Sequence, residues 1–300
     1  MYPGSAGMAS LILLLTVTLG FAQGERSPSR LLAEANAHYR ELRSAEGARL
    51  YREYLVQYAD RADVRTYLGG ALLNLQQPRE AMEEAKRAIA LDAGYAKAYT
   101  LAGRAYTEQR QWNQAKEYFD RAVALDPGDR ETWYFFGRSC YDANRFDRAV
   151  EAFLRALKLD AGQSRVYENL GLAYDALNQA GDAEKAYRRA VELAGSRYRP
   201  FVAYGMFLFK QARMPESLRL LEQGFRLEPN AADSRFEYGR ALYHAGKLSE
   251  ASQVLEGGPP SNECRLHNLL ARVYRMQSRG GEAEREVQAL RKCAPSLEGR

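Results

Sequence analysis

The sequence predicts an all-α solenoid of about eight antiparallel helical hairpins, and three observations lead to this prediction. Glycines recur at a spacing of 34 residues, at Gly69, Gly103, Gly137, Gly171, Gly205 and Gly239. Around each glycine lies a similar order of aromatic and small residues, as in Tyr99, Gly103, Tyr106, Ala115, Phe119, Ala122 and Pro127. Hydrophobic residues make up 46% of the 300 residues, which is enough for a buried core, and only ten prolines interrupt the chain.

The N-terminal segment, residues 1–22, resembles a secretory signal peptide. The first 24 residues carry no charged side chain, and an apolar run from Leu11 to Phe21 ends in a small-x-small site at Gly20-Phe21-Ala22. We therefore expect cleavage after Ala22 and export to the periplasm or the extracellular space. The run is about half of the roughly 20 residues that a spanning helix needs, so no permanent membrane anchor is expected. A short uncleaved anchor is the alternative, because the first ten residues contain no Lys or Arg.

The charge of the chain argues against a nucleic-acid-binding protein. Lys and Arg total 43 against 38 Asp and Glu, which gives a net charge of +5. The two signs alternate along the predicted helices instead of forming basic blocks. We therefore expect no nucleic-acid partner.

The cysteines and histidines form no metal-binding pattern. Three cysteines and three histidines match no ligand spacing, so neither a metal nor another cofactor is expected. Cys264 stands at the start of the last predicted hairpin and Cys293 just past its end. Because antiparallel helices bring those two ends together, we predict a disulfide in an oxidising compartment; two free thiols are the alternative. Cys140 occupies a position that other repeats fill with Leu or Tyr, so we expect it in the core.

Small residues mark the places where the two helices of a hairpin cross. At Gly137, Ala149 and Ala156 a larger side chain would push the helix axes beyond the roughly 8–10 Å of close packing. Phe119 belongs to a stripe of apolar residues with the period of an amphipathic helix. Such a hairpin cannot bury its apolar face alone, so neighbouring hairpins supply stability, and residues 23–300 are expected to form a single domain.

Counting from the glycines gives six units of 34 residues and two looser ones. They span residues 28–61, 62–95, 96–129, 130–163, 164–197, 198–231, 232–263 and 264–297. Asp-Ala-Gly or Asp-Pro-Gly segments at 92–94, 126–128 and 160–162 end one hairpin before the next begins. The first unit has Ala35 in place of the glycine and Gly47 in place of a small alanine, as expected of a terminal repeat.

This order of aromatic, Leu-Gly, Tyr, Ala, Phe, Ala and Pro positions resembles the tetratricopeptide repeat (TPR) over nearly the whole mature chain. The resemblance implies a right-handed superhelical solenoid. It also implies that the first helix of each hairpin lines a groove for a protein or peptide, at motif positions 2, 5, 9, 12 and 13. The Lys and Asn pattern of the family's carboxylate clamp is not reproduced, which argues against an adaptor for chaperone tails.

The resemblance places position 9 of successive repeats along the groove, and this position is rich in arginine. Four repeats have arginine there, at Arg104, Arg138, Arg240 and Arg272, and two have the apolar Leu172 and Met206. Positions 5 and 12 add the aromatic residues Tyr134, Tyr141, Phe209, Phe236 and Tyr243. Because guanidinium groups bind carboxylates and rings supply contact area, we expect an acidic, aromatic-containing peptide as partner. The alternative is that the arginines are surface charges paired with acids such as Asp142 and Asp175.

No arrangement of residues in the sequence indicates catalysis. A glycine-rich strand-to-helix turn, a nucleophile elbow and an isolated carboxylate pair are all missing, so we do not expect an enzyme. We expect an exported scaffold or adaptor that binds a protein or peptide partner in the concave groove. The alternatives are a regulatory subunit of an envelope enzyme or secretion complex, and a protein that handles glycans or peptidoglycan by stacking sugars on the groove aromatics.

Overall fold

The computed structural model of the chain describes residues 27–257 and 264–293. The predicted signal peptide, residues 1–22, lies outside the described residues. Within the two described ranges the chain forms sixteen α-helices and no strand, which confirms the all-α prediction. None of these helices is long and apolar enough to cross a lipid bilayer.

The chain divides into two compact units, and the first of them comprises residues 1–127. Its described part contains three helical hairpins, formed by α1 (Pro28–Arg40), α2 (Ser44–Gln57), α3 (Ala62–Asn74), α4 (Pro78–Leu91), α5 (Ala96–Glu108) and α6 (Trp112–Leu125). The two helices of each hairpin pack on each other, and neighbouring hairpins share a core that includes Leu31, Tyr51, Leu72 and Leu101. A single hairpin leaves an apolar face uncovered, so it needs a neighbouring hairpin to bury that face.

The second unit comprises residues 128–300. Its described part contains five hairpins, formed by α7 (Arg130–Asp142), α8 (Phe146–Leu159), α9 (Ser164–Ala176), α10 (Ala180–Glu192), α11 (Arg199–Lys210), α12 (Met214–Leu227), α13 (Ala232–His244), α14 (Leu248–Glu256), α15 (Cys264–Met276) and α16 (Gly280–Cys293). Tyr187 and Leu208 are buried between two of these hairpins, and Leu242 and Val273 are buried further along.

The hairpins follow the repeat units predicted from the glycine spacing, and each predicted unit contains two helices. The seventh hairpin departs most from the pattern, because α14 has 9 residues, whereas α8 has 14 and α10 has 13. The sequence had placed a looser unit there. The expectation of one domain over residues 23–300 stays a prediction.

The turn inside every hairpin places one residue in the left-handed backbone region. The φ values lie between 57° and 75° at Leu42, Gln76, Arg110, Asn144, Asn178, Ala212, Gly246 and Ser278. The first helix of a hairpin ends here in a Schellman motif, as where the N–H of Arg145 donates to the carbonyl oxygen of Cys140 at 2.8 Å. A residue other than glycine adopts this backbone at a cost of roughly 1–2 kcal/mol. Packing of the two helices therefore has to offset the cost of most of these turns.

Most glycines of the repeat lie where a large side chain of the second helix of the same hairpin crosses the first helix. A Cβ built at Gly137 would lie 2.6 Å from the ring of Phe153, and one built at Gly171 would lie 2.7 Å from the ring of Tyr187. Carbon atoms do not approach so closely, so any side chain there would force the helices apart. The structure thus confirms that these glycines set the distance between the helices.

Candidate functional site

In the second unit, the first helices of successive hairpins lie side by side. We call the surface formed by α7, α9, α11, α13 and α15 the first-helix face. A cavity of about 670 Å³ opens on this face along α9, α11 and α13. The cavity is large enough for several side chains of a peptide.

The apolar part of the cavity includes Leu172, Val202, Met206 and Phe209. Position 9 of two repeats supplies Leu172 and Met206, and the structure brings them together with Phe209 in one lining. Met206 on α11 is 38% exposed, which makes it one of the exposed large apolar side chains of the described chain. Exposed apolar area of this kind, with a polar rim, is typical of binding sites.

Charged side chains of both signs surround the apolar part, and two of the three acids accept hydrogen bonds. Asp175 accepts a hydrogen bond from the Nζ of Lys210 at 2.8 Å. Asp233 accepts one from the hydroxyl of Tyr198 at 3.0 Å. Glu168 differs from both, because its Oε2 atom is buried and has no hydrogen-bond partner within the described ranges.

Arg240 lines the cavity but is already held by neighbours. Its Nη2 atom lies 2.6 Å from the Oε2 of Glu237, a side chain whose residue is only 6% exposed. Burial raises the pKa of Glu237, and the charge of Arg240 acts in the opposite direction. The guanidinium also lies 5.0 Å from the ring centre of Phe209 and 5.8 Å from that of Phe236. For Arg240 the alternative of a paired charge therefore holds, and reversing its charge would destabilise the protein as well as change the surface.

Other predicted groove residues stack on one another further along the face. The guanidinium of Arg272 lies 5.1 Å from the ring centre of Tyr243 and donates to its hydroxyl at 3.4 Å. Arg265 lies 4.8 Å from the ring centre of Phe236. Cation–π contacts of this kind fix the plane of a guanidinium and leave its edge for hydrogen bonds.

The remaining predicted residues contribute less open surface or lie elsewhere. Tyr134 is 5% exposed, and the guanidinium of Arg165 covers its ring at 4.1 Å. Tyr141 is half-buried, and burial raises its pKa. Arg138 is exposed on α7, in the same unit as the cavity, whereas Arg104 is on α5 in the first unit.

Glu168 was not among the residues predicted from the sequence, although a signal for it existed. It stands at position 5, which other repeats fill with Thr66, Thr100, Tyr134, Val202 and Phe236. A single charged residue at a position that faces the groove is the kind of exception that marks a binding site.

The terminal hairpin brings Cys264 and Cys293 together. Their Cα atoms lie 5.7 Å apart and their sulfur atoms are within bonding distance. This Cα separation lies within the range that disulfides span. Cys140 is buried on α7, where a core position was expected.

Comparisons with known proteins agree with the repeat architecture. Two models described as tetratricopeptide repeat match the chain, one at residues 100–164 and 136–200 and the other at residues 208–273. Together these matches cover more than half of the sequence. No curated protein sequence matches the chain significantly.

Several solved structures share the fold at low sequence identity. The crystal structure of the APC/C hetero-tetramer Cut9–Hcn1 aligns with a TM-score of 0.64 and 18% identity, over 89% of this chain and 53% of that chain. This chain thus spans about half the length of that relative. Pseudomonas aeruginosa pilF aligns with a TM-score of 0.58 and 18% identity, over 75% of this chain and 97% of that chain. At such identities the likeness shows the fold alone.

Proposed function

Because the chain belongs to the tetratricopeptide-repeat family, we propose that it is a non-catalytic scaffold or adaptor that binds a protein or peptide partner on the first-helix face. Repeat proteins of this kind present extended surfaces to their partners. The family indicates the class of function, and the site has to indicate the partner.

The cavity along α9, α11 and α13 is the observation that carries this proposal. It combines an open apolar part, with Met206 38% exposed, and a rim of charged side chains. A peptide that places an apolar side chain over Met206 would bury that area, which supplies most of the binding energy in such complexes.

The chemistry of the face favours a partner segment that is acidic and contains an aromatic residue. Arg138 and Arg199 are exposed, and neither forms an ion pair with any residue that the structure describes. Phe209 supplies a ring beside the open Met206. Arginines would determine the encounter rate and selectivity, and the apolar contacts would determine the residence time.

Selection from a displayed library of random heptapeptides tests this proposal. A peptide enriched on the intact protein is then measured by fluorescence anisotropy against Met206→Asp, where we expect binding at least about tenfold weaker because a charge replaces the apolar contact. Met276→Asp is the matched control, since Met276 is 63% exposed at the end of α15 and does not line the cavity. Equal affinities for both variants and the unmodified protein would place the binding surface elsewhere.

We also propose that the protein is exported, with residues 1–22 as a cleaved signal. The apolar, uncharged start of the sequence and the adjacent cysteines of the terminal hairpin both support an oxidising destination. N-terminal sequencing of the protein from its native host is expected to begin near Gln23. An intact Met1 on protein from the cytoplasmic fraction would contradict export.

A further inference from the structure

Glu168 is a mostly buried acidic side chain whose hydrogen bonding is incomplete. It lies on α9 and lines the cavity, and its side chain is 14% exposed. Its Oε2 atom is fully covered and accepts no hydrogen bond from any described residue. The guanidinium of Arg197 stands at 3.7 Å, beyond hydrogen-bond distance. A buried carboxylate in this state keeps much of its desolvation cost.

The positive charges around Glu168 exceed what one carboxylate can neutralise. Arg197, Arg199, Arg138 and Arg165 all act on it electrostatically. They come from α7, from α9 and from the residues at the start of α11. Among the described residues, Arg138, Arg165 and Arg199 form no ion pair. Asp142 also interacts electrostatically with Arg138, and Asp233 with Arg199. Four guanidinium groups against these three acids still leave an excess of positive charge around Glu168, and Arg199 carries it into the lining of the cavity.

We propose that Glu168 is a specificity-determining residue that occupies, in the free protein, the place of a partner carboxylate, and that it competes with an acidic partner segment for these four arginines. This inference rests on the proposed function, that is, on peptide binding at the first-helix face. A partner carboxylate that approaches from solvent has two free oxygens and can accept hydrogen bonds from guanidinium edges in bidentate fashion. Glu168 does not reach this geometry.

Binding of an acidic segment would place a partner carboxylate beside that of Glu168, and we expect Glu168 to take up protons as a result. Burial raises the pKa of Glu168, and the four arginines act in the opposite direction. A second carboxylate beside it disfavours its ionised form further, so the complex binds more protons than the free protein. Binding of an acidic segment is therefore expected to strengthen as the pH falls toward the pKa of Glu168. Asp175, Asp233 and Tyr187 also line the cavity and remain unchanged in the test below.

A basic partner is the opposite solution, in which Glu168 accepts a hydrogen bond from a lysine or arginine of the partner. The charge balance disfavours it, because a cation would have to enter among four guanidinium groups. An acidic partner and a basic partner predict opposite effects when the charge of Glu168 is removed.

The test uses the full chain and two labelled hexapeptides, one of alternating glutamate and phenylalanine and one of alternating lysine and phenylalanine. In Glu168→Gln, which keeps the shape and removes the charge, we expect affinity for the acidic peptide to rise about tenfold near neutral pH. Glu151→Gln, an exposed residue on α8, is the matched control and is expected to bind as the unmodified protein does. Because the raised pKa means that ionised Glu168 costs stability at neutral pH, the variant is expected to fold at least as well.

Titration between about pH 8 and about pH 5.5 supplies a second readout, since the carboxylates of the peptide stay ionised in this range. We expect the unmodified protein to bind the acidic peptide more tightly at the lower pH and Glu168→Gln to lose most of this dependence. The ring of His244 lies 5.3 Å from that of Phe209, which lines the cavity. An equal pH dependence in both proteins would assign the effect to a group other than Glu168 and overturn its role.

The outcomes also separate this inference from the proposed function. Unchanged or weaker binding of the acidic peptide to Glu168→Gln overturns the inference, as does tighter binding of the basic peptide to the unmodified protein. If Glu168→Gln has this result but Met206→Asp weakens binding of a library peptide as expected, the proposed function stands and only the role of Glu168 fails. If neither hexapeptide binds any of the proteins, the inference fails as well.

Discussion

Replacing Phe153 with alanine is expected to destabilise the second unit by about 3–5 kcal/mol. Phe153 on α8 is fully buried and its ring fills the space above Gly137. The ring also lies 6.2 Å from that of Tyr134, so its removal leaves a cavity between two helices. Because Gly137 has no side chain, the space cannot be closed from the opposite helix.

Leu154→Ala is the matched control for this experiment. Leu154 is the next residue of the same helix and is 46% exposed, so its truncation removes little buried area. We expect it to change the free energy of unfolding by less than about 0.5 kcal/mol in chemical denaturation. Similar losses in both variants would show that α8 does not pack on α7 as described here.

The second large effect is expected at the end of the chain, where opening the Cys264–Cys293 bridge should loosen the terminal hairpin. The two cysteines are 29 residues apart in sequence. On the loop-entropy model a closed loop of this length contributes about 3–4 kcal/mol. The terminal hairpin has a neighbouring described hairpin on one side only, so we expect the loss to appear as faster hydrogen exchange in α15 and α16.

Reduction and substitution provide controls for each other. A reductant is expected to raise the hydrogen-exchange rate of the unmodified protein to that of the double variant Cys264→Ser/Cys293→Ser. The same reductant is expected to leave the rate of the double variant unchanged. Mass spectrometry of protein from an oxidising compartment should find the two cysteines joined. Free thiols in that sample, or equal exchange in all four measurements, would reject the bridge.

The fold follows largely from local requirements that are visible in the sequence. The spacing of 34 residues between glycines reflects one crossing point per hairpin, and each crossing needs a small residue, which is glycine in six hairpins. The apolar stripes predicted the helices, and the predicted units contain the observed hairpins. The left-handed turns were not predicted, because residues such as Leu42 and Ala212 carry no sequence signal for a positive φ. Their backbone is imposed by the packing of the helices on either side.

The sequence by itself thus determined the repeat, its helices and the set of positions that face a partner. Only the tertiary structure decided which charged side chains at those positions are free. Arg240 and Arg138 stand at the same position of their repeats, yet Arg240 is bound to the buried Glu237 and Arg138 is exposed without an ion pair among the described residues. The physical reason is that a repeat fixes where each Cβ points, whereas an ion pair depends on which acid stands nearby, as Glu237 does one turn before Arg240 on α13, and on how deeply the packed helices bury that acid. For the same reason the exposed Met206 and the missing hydrogen bond at Oε2 of Glu168 became visible only once α9, α11 and α13 were placed side by side.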